Sequence, residues 1–100
     1  MVDSLKIISS NCQGLNSKRK RQDVFRVLKE KQANIYCLQD THFTKQIEKD
    51  VENEWGYKLC HFSSYKSNAR GVAIMFHDKL DYEIIREEQD NKFGNYLALK

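Results

Sequence analysis

Leu5-Lys6-Ile7-Ile8-Ser9-Ser10-Asn11 has the β-branched content and the length of a strand, and Gly14 follows in a short polar turn. Ser17 can cap a helix that runs to about Gln32, in which Val24, Phe25 and Leu28 fall on one face at spacings of three and four. Ile35-Tyr36-Cys37-Leu38 is a continuous apolar run ending in Gln39 and Asp40, the pattern of a central strand covered on both faces. Phe43, Ile47, Val51 and Trp55 recur every four residues and predict a second, short helix stopped by Gly56. Four strand-like runs follow, Tyr57 to Ser63, Gly71 to Phe76, Asp81 to Glu87 and Asn95 to Leu99, and their polar separators predict antiparallel hairpins or a meander.

Strand, helix, strand within about forty residues makes a βαβ unit. Such crossovers are right-handed and their strands parallel, so both strands end on the same edge of the sheet. That places Asn11 near Asp40 at the edge where open α/β sheets bind ligands. Five or six strands with two helices cannot cover both faces of a twisted sheet, so an apolar face and an edge are expected to stay open. Tyr96-Leu97-Ala98-Leu99-Lys100 reads as mid-strand, the expectation for a fragment.

One hundred residues limit the chain to a single domain, spanning residues 1–100, with a small core. Mean hydropathy is low, at -0.74, but clustered aliphatic and aromatic residues argue for a folded segment. Seventeen Lys and Arg against fourteen Asp and Glu leave a net charge of +3, which suits a polyanionic partner only weakly. No run approaches the roughly 18 apolar residues of a membrane helix, and no signal peptide is visible. Cys12, Cys37 and Cys60 are odd in number and lie in or beside apolar runs, the usage of reduced thiols in an intracellular protein.

Two features carry candidate chemistry. Asn11 and Asp40 pair a carboxamide with a carboxylate that suits a hard divalent cation such as Mg²⁺, as a phosphate-handling site requires. The plainer reading makes Asn11 a turn residue and Asp40 a loop cap. Lys18-Arg19-Lys20-Arg21 places four cations in the first turn of a helix, where the dipole disfavours them by about 0.3–1 kcal/mol each unless a phosphate is close. A nucleic-acid backbone would reverse that sign; a solvated face or a nuclear-localisation-like run is the alternative. His42, two residues past Asp40, could orient the acid or touch a phosphate, or be an ordinary loop histidine. Cys37, His42, Cys60 and His61 lack the paired spacing of a zinc site.

The order of these motifs, the run from Leu5 through Asn11-Cys12-Gln13-Gly14-Leu15-Asn16-Ser17, then Gln39-Asp40-Thr41-His42, then Arg70-Gly71-Val72-Ala73-Ile74, resembles the endonuclease/exonuclease/phosphatase superfamily. The likeness is greatest to the endonuclease domain of LINE-type (non-LTR) retrotransposon polyproteins, and it spans essentially the whole chain. The resemblance implies a four-layer α/β sandwich, of which this is the N-terminal portion, and phosphodiester cleavage dependent on Mg²⁺, with Mn²⁺ as a substitute. It makes Asp40 the metal-binding acid, Asn11 its catalytic, hydrogen-bonding neighbour near the scissile phosphate, and Gly71 to Ile74 a core strand; Lys18, Arg19, Lys20, Arg21 and His42 stay the candidate nucleic-acid contacts on the charge argument above. Family members carry an Asp-His pair, an Asp-x-Asn pair and a Tyr in a C-terminal half that lies beyond Lys100, so the isolated chain is expected to be inactive. Asp40 stands where most relatives have Glu, a side chain shorter by about 1.5 Å.

Three functions follow as expectations. The first is a fragment of a DNA endonuclease whose partners are DNA, the missing half of its own domain and a reverse transcriptase domain in the parent polyprotein, with an intracellular, nuclear setting and no membrane. The second is a non-catalytic nucleic-acid-binding remnant that uses the basic run. The third is a phosphatase of the same superfamily.

Overall fold

A computed structural model of the chain describes residues 6–56, 60–64, 70–77, 87–89 and 97–99. Strand β1 (Ile7–Asn11) leads into helix α1 (Lys18–Glu30), which returns to β2 (Ile35–Gln39). A 3₁₀ turn (Lys45–Ile47) and α2 (Glu48–Trp55) precede β3 (Cys60–Ser63) and β4 (Val72–Phe76). Two short strands follow, β5 (Glu87–Gln89) and β6 (Leu97–Leu99). The result is a small α/β domain with a four-stranded mixed sheet, ordered β1-β2-β4-β3, and a separate β5-β6 pair.

The expected βαβ unit forms. β1 and β2 are parallel, with Ile7 opposite Ile35 and Asn11 opposite Gln39. Ser17 caps α1, its hydroxyl accepting a long hydrogen bond from the Lys20 amide at 3.5 Å. Phe25 and Leu28 bury the predicted stripe, and Val24 packs beside them. Helix α2 ends at Gly56, whose φ of +79° is the left-handed cap that the sequence suggested.

Two expectations change. The four-residue stripe from Phe43 to Trp55 is not one helix: Phe43 lies in the turn before it, because His42 has φ +61° and Thr44 is extended. Phe43, Val51 and Trp55 are nonetheless fully buried, so the stripe reports burial correctly and helix extent incorrectly. The later strands pair antiparallel in consecutive couples, β3 with β4 and β5 with β6, as the hairpin expectation has it, but they do not form one meander, since β4 inserts between β2 and β3 and runs antiparallel to both. Residues 57–59, 81–86, 95 and 96 of the expected strands lie outside the described residues.

One sheet face carries Ile8, Tyr36, Leu38, Ala73, Met75, Cys60 and Phe62 in register and packs on the helices. Trp55 is the centre of that layer. Its ring meets Phe25 edge-on at 5.3 Å and Tyr36 at 5.1 Å, and its indole N–H donates to the Phe76 carbonyl at 3.1 Å. The Tyr36 hydroxyl accepts from the Ala33 amide at 3.0 Å, so both large aromatics satisfy their polar atoms inside the core.

The other face carries Ile7, Ser9, Ile35, Cys37 and Gln39 on β1 and β2. Ile7 is 57% exposed, and β1 is an edge strand. β2 is thus central but buried on one side, its Tyr36 and Leu38 alternating with half-buried neighbours. Toward β3 and β4 this face meets β6, and His61 reaches Glu87 of β5 at 3.5 Å. Among the described residues no helix is long and apolar enough to cross a membrane.

Candidate functional site

The parallel pairing of β1 with β2 brings two loops together at the C-terminal edge of the sheet. Their backbones are bonded directly: Cys12 N–H donates to the Gln39 carbonyl, Gly14 N–H to Asp40 and Leu15 N–H to Thr41, all at 2.7–2.8 Å. A third segment, entering β4, joins them, since Thr41 N–H donates to the Gly71 carbonyl at 3.0 Å and His42 N–H to that of Arg70 at 2.7 Å. The Asp40-Thr41-His42 turn is therefore held from both sides by main chain.

Holding it requires unusual backbone. Gln13, Asp40, His42 and Arg70 all have φ between +51° and +61°, and Gly14 and Gly71 lie at +90° and +97°. Non-glycine residues seldom adopt this region, and each costs of order 1 kcal/mol or more. Both glycines are also sterically required. A Cβ on Gly14 would stand 2.7 Å from His42 Nδ1, and one on Gly71 would stand 2.6 Å from the Thr41 hydroxyl. Thr41 is fully buried, and its Oγ1 accepts from the Phe43 amide at 3.3 Å, closing the turn.

On this frame His42 Nε2 lies 2.9 Å from Asp40 Oδ1, with the carboxylate side chain 39% exposed. The imidazole so holds one carboxylate oxygen while the group stays open to solvent. Asn11 is exposed, and its Oδ1 accepts from the Gln13 amide at 3.2 Å. That bond is the turn-forming role weighed against catalysis; the Nδ2 donors are not engaged by it. Asn11 and Asp40 flank the same stitched loops, as the βαβ argument requires.

The basic run divides in two. Lys18 and Arg19 are exposed. Lys20 extends its ammonium to the Cys12 and Gln13 carbonyls, each at 3.2 Å, and ties the helix start to the loop after β1. Arg21, expected to meet nucleic acid, is only 5% exposed. Its Nε and Nη2 fork onto Glu54 at 2.6–3.2 Å, while Nη1 donates to the Leu15 and Asn16 carbonyls at 3.2 and 3.0 Å. This corrects its expected role: the guanidinium joins the loop, α1 and α2, and has no face left for a phosphate.

The surroundings of all three cysteines favour the neutral thiol. Burial chiefly pushes the Cys12 thiol up, with Asp40 adding to the rise and a hydrogen bond to Ser10 and the charge of Lys20 opposing it. Burial raises Cys37 as well. Cys60 is pushed up to about 12, by burial first and Glu52 second. All three are free thiols, as their spacing implied.

Among the described residues no group of three or more His, Cys, Asp or Glu side chains could enclose a metal ion. Asp40, with one oxygen held by His42 and its side chain partly open to solvent, is the carboxylate of this turn that could ligate a hard divalent cation. Sequence reasoning quoted Gly14, Thr41, Arg70 and Gly71 within its motifs but gave none of them a part in holding the Asp40–His42 turn. The glycines at loop positions were the one visible signal of that frame. No known protein-family model matches the chain.

Proposed function

We propose that the chain is the N-terminal part of a metal-dependent DNA endonuclease domain of the endonuclease/exonuclease/phosphatase type, derived from a non-LTR retrotransposon. The observation that carries this reading is the stitched edge, where the loop after Asn11 and the Asp40–His42 turn share three short backbone hydrogen bonds. Their adjacency puts a solvent-open carboxylate, an imidazole and a carboxamide on one edge of a sheet, near the exposed cations at the start of α1.

In this reading Asp40 holds Mg²⁺ or Mn²⁺, which when bound supplies Lewis-acid polarisation of a phosphoryl oxygen. His42 fixes the carboxylate rotamer through its 2.9 Å contact. Asn11 offers its amide N–H groups to the phosphate, and Lys18 and Arg19 supply sequence-independent attraction to the backbone of DNA. The β5-β6 pair beside β3 and β4 supports a second sheet, which the four-layer sandwich of this reading needs. The open β1-β2 face supports completion by a C-terminal half carrying the residues that activate water; a reverse transcriptase domain of the parent polyprotein is a further partner of this reading.

The test is nicking of supercoiled plasmid in Mg²⁺ by the chain extended along its own reading frame, with Asp40→Asn as the comparison. Asparagine tolerates the left-handed backbone at this position, so the variant removes charge without unfolding the turn. Loss of nicking is expected; undiminished nicking refutes the assignment of Asp40. Salt-dependent DNA binding that survives in Asp40→Asn without any cleavage by the wild type would favour a binding remnant instead.

A further inference from the structure

The large apolar side chains left unburied among the described residues gather at one edge of the sheet. Ile7, on the edge strand β1, is 57% exposed, and Val27, on α1 beside it, is 45% exposed. A groove of about 400 Å³ runs between β1 and α1, with Ile8, Val24, Val27 and Leu28 as its apolar wall and Asp23 and Lys31 on its rim. It lies on the helix side of β1, opposite the face that carries Ser9 and Gln39.

The strand edge itself is open. The Lys6 carbonyl and the Cys12 amide bond to the β2 segment, so in this parallel ladder Ile8 and Ser10 face β2, while Ile7, Ser9 and Asn11 turn their N–H and C=O groups outward. Exposed edges are ordinarily blunted by charge, proline or a bulge. β1, Ile-Ile-Ser-Ser-Asn, has no charge and no proline, and it pairs with β2 without a bulge.

The charges select the occupant. Asp23, Val27 and Lys31 are spaced by four and form one stripe along α1. A two-fold axis through the middle of that stripe sets Val27 against its own copy and brings each Asp23 to the Lys31 of the other molecule. Helix and strand run antiparallel, since Lys20 near the start of α1 reaches the Cys12 carbonyl after β1, and Lys6 just before β1 donates to the Lys31 carbonyl at 2.6 Å. The same axis therefore sets the two β1 strands antiparallel, edge to edge, and joins the two four-stranded sheets into one. A parallel arrangement would oppose Lys31 to Lys31. Asp23 meets Arg26 only loosely, at 3.6 Å and with both side chains well exposed, so exchanging that partner costs little.

We propose that the free edge of β1 and the groove beside α1 are the interface of a two-fold dimer of this chain, with β1 paired antiparallel to β1 and Asp23 facing Lys31 across the axis. The proposal goes beyond the nuclease reading and does not rest on it, since it uses no side chain of the Asp40–His42 turn.

The experiment is sedimentation equilibrium of the full chain over a wide range of concentration, with each variant checked by its thermal melt. Wild type is expected to behave as a reversible monomer–dimer system. Val27→Lys sets two ammonium groups at the axis, at a position exposed in the monomer, and should abolish the dimer while the monomer still melts cooperatively. Asp23→Lys and Lys31→Asp each oppose like charges at both ends of the axis and should weaken dimerisation by roughly tenfold. Mixed in equal amounts, these two variants regain attraction at both contacts, so a heterodimer of near wild-type affinity is expected. Damage to either fold would not be repaired by mixing. A wild-type chain that stays monomeric throughout, or that grows beyond a dimer, overturns the proposal. A dimer unchanged in Val27→Lys overturns its place on α1, and charge variants that fail to pair when mixed overturn the antiparallel arrangement.

Discussion

The two ends of the four-stranded sheet are tied in similar ways and at different conformational cost. At the end away from the candidate site, Asn34 N–H donates to the Lys6 carbonyl, the Asn34 side chain accepts from the Lys6 amide, and His77 N–H donates to the Asn34 carbonyl, all at 2.8–3.0 Å. One residue there, Gln32, has a positive φ, and it follows the C-cap of α1, where that conformation is commonplace. The site end makes a comparable set of bonds but places Gln13, Asp40, His42 and Arg70 in the left-handed region and needs two glycines besides. Closing a sheet edge does not demand this. Unfavourable backbone concentrated at one end marks that end as the one shaped for something other than stability.

The comparison breaks most severely at Arg21. Arg21→Ala leaves Glu54, with its side chain 12% exposed, as an unpaired and largely buried charge, and frees the Leu15 and Asn16 carbonyls from their donor. A loss of about 3–5 kcal/mol is expected in urea denaturation, enough to unfold a small domain. At the opposite end Lys6 also reaches a carbonyl, that of Lys31, at 2.6 Å, but both residues are exposed. Lys6→Ala should stay within about 0.5 kcal/mol. Equal costs would mean that the site end is not held by its buried arginine.

Gly71→Ala should cost about 2–3 kcal/mol, because it adds a left-handed alanine to a Cβ placed 2.6 Å from a buried hydroxyl. Thr41→Ser in the same background retains the hydroxyl and should not restore stability. Thr41→Ala removes the oxygen and should recover part of the loss, a coupling that a double-mutant cycle measures. Additive effects would show that Gly71 and Thr41 do not press on one another.

How legible all this was in the sequence depended on distance along the chain. The β1-α1-β2 unit was readable because strand pattern, cap and helix stripe are local, and the right-handed crossover rule converts them into the adjacency of Asn11 and Asp40. The place of β4 was not, because inserting it between β2 and β3 is settled by pairing Val72 with Gln39 and Ser63, which no local pattern encodes. The basic run shows the same limit. Four adjacent cations look alike, yet Arg21 turns inward because Glu54 lies on α2, 33 positions away. Arg70 was quoted in a motif, but its left-handed backbone was not foreseen, because that conformation is produced by the closing of three loops and not by its own neighbours.

Alkaline pH should act at the end away from the site. Cys60 pairs in register with Met75 there, and its thiol rises from an ordinary value near 9 to about 12 in the folded chain. The neutral thiol is thus favoured by folding. Its contribution is complete below about pH 9 and is lost as pH rises toward 12, as the unfolded chain ionises first. At pH 10 the loss amounts to about 1 kcal/mol, and it should be absent from the stability–pH slope of Cys60→Ala. Equal slopes in the two proteins would show that Cys60 is not held neutral.

The smallest effect separates the two ends in sign. Gln32 at φ +53° is exposed, and its amide donates to the Lys29 carbonyl at 3.1 Å, the geometry in which glycine is preferred after a helix. Gln32→Gly should therefore raise stability by about 0.5–1 kcal/mol without altering DNA binding. Asp40 has nearly the same φ, +52°, so Asp40→Gly relieves the same backbone cost. That substitution also removes the partner of His42, and with it the carboxylate on which the nuclease reading depends. A melt that rises in both variants, with Mg²⁺-dependent nicking by the extended chain lost in Asp40→Gly alone, would show that the same local strain is incidental at one end and functional at the other. Nicking retained in Asp40→Gly would remove the distinction, and the crowded turn would then be only an unusual way of closing a sheet.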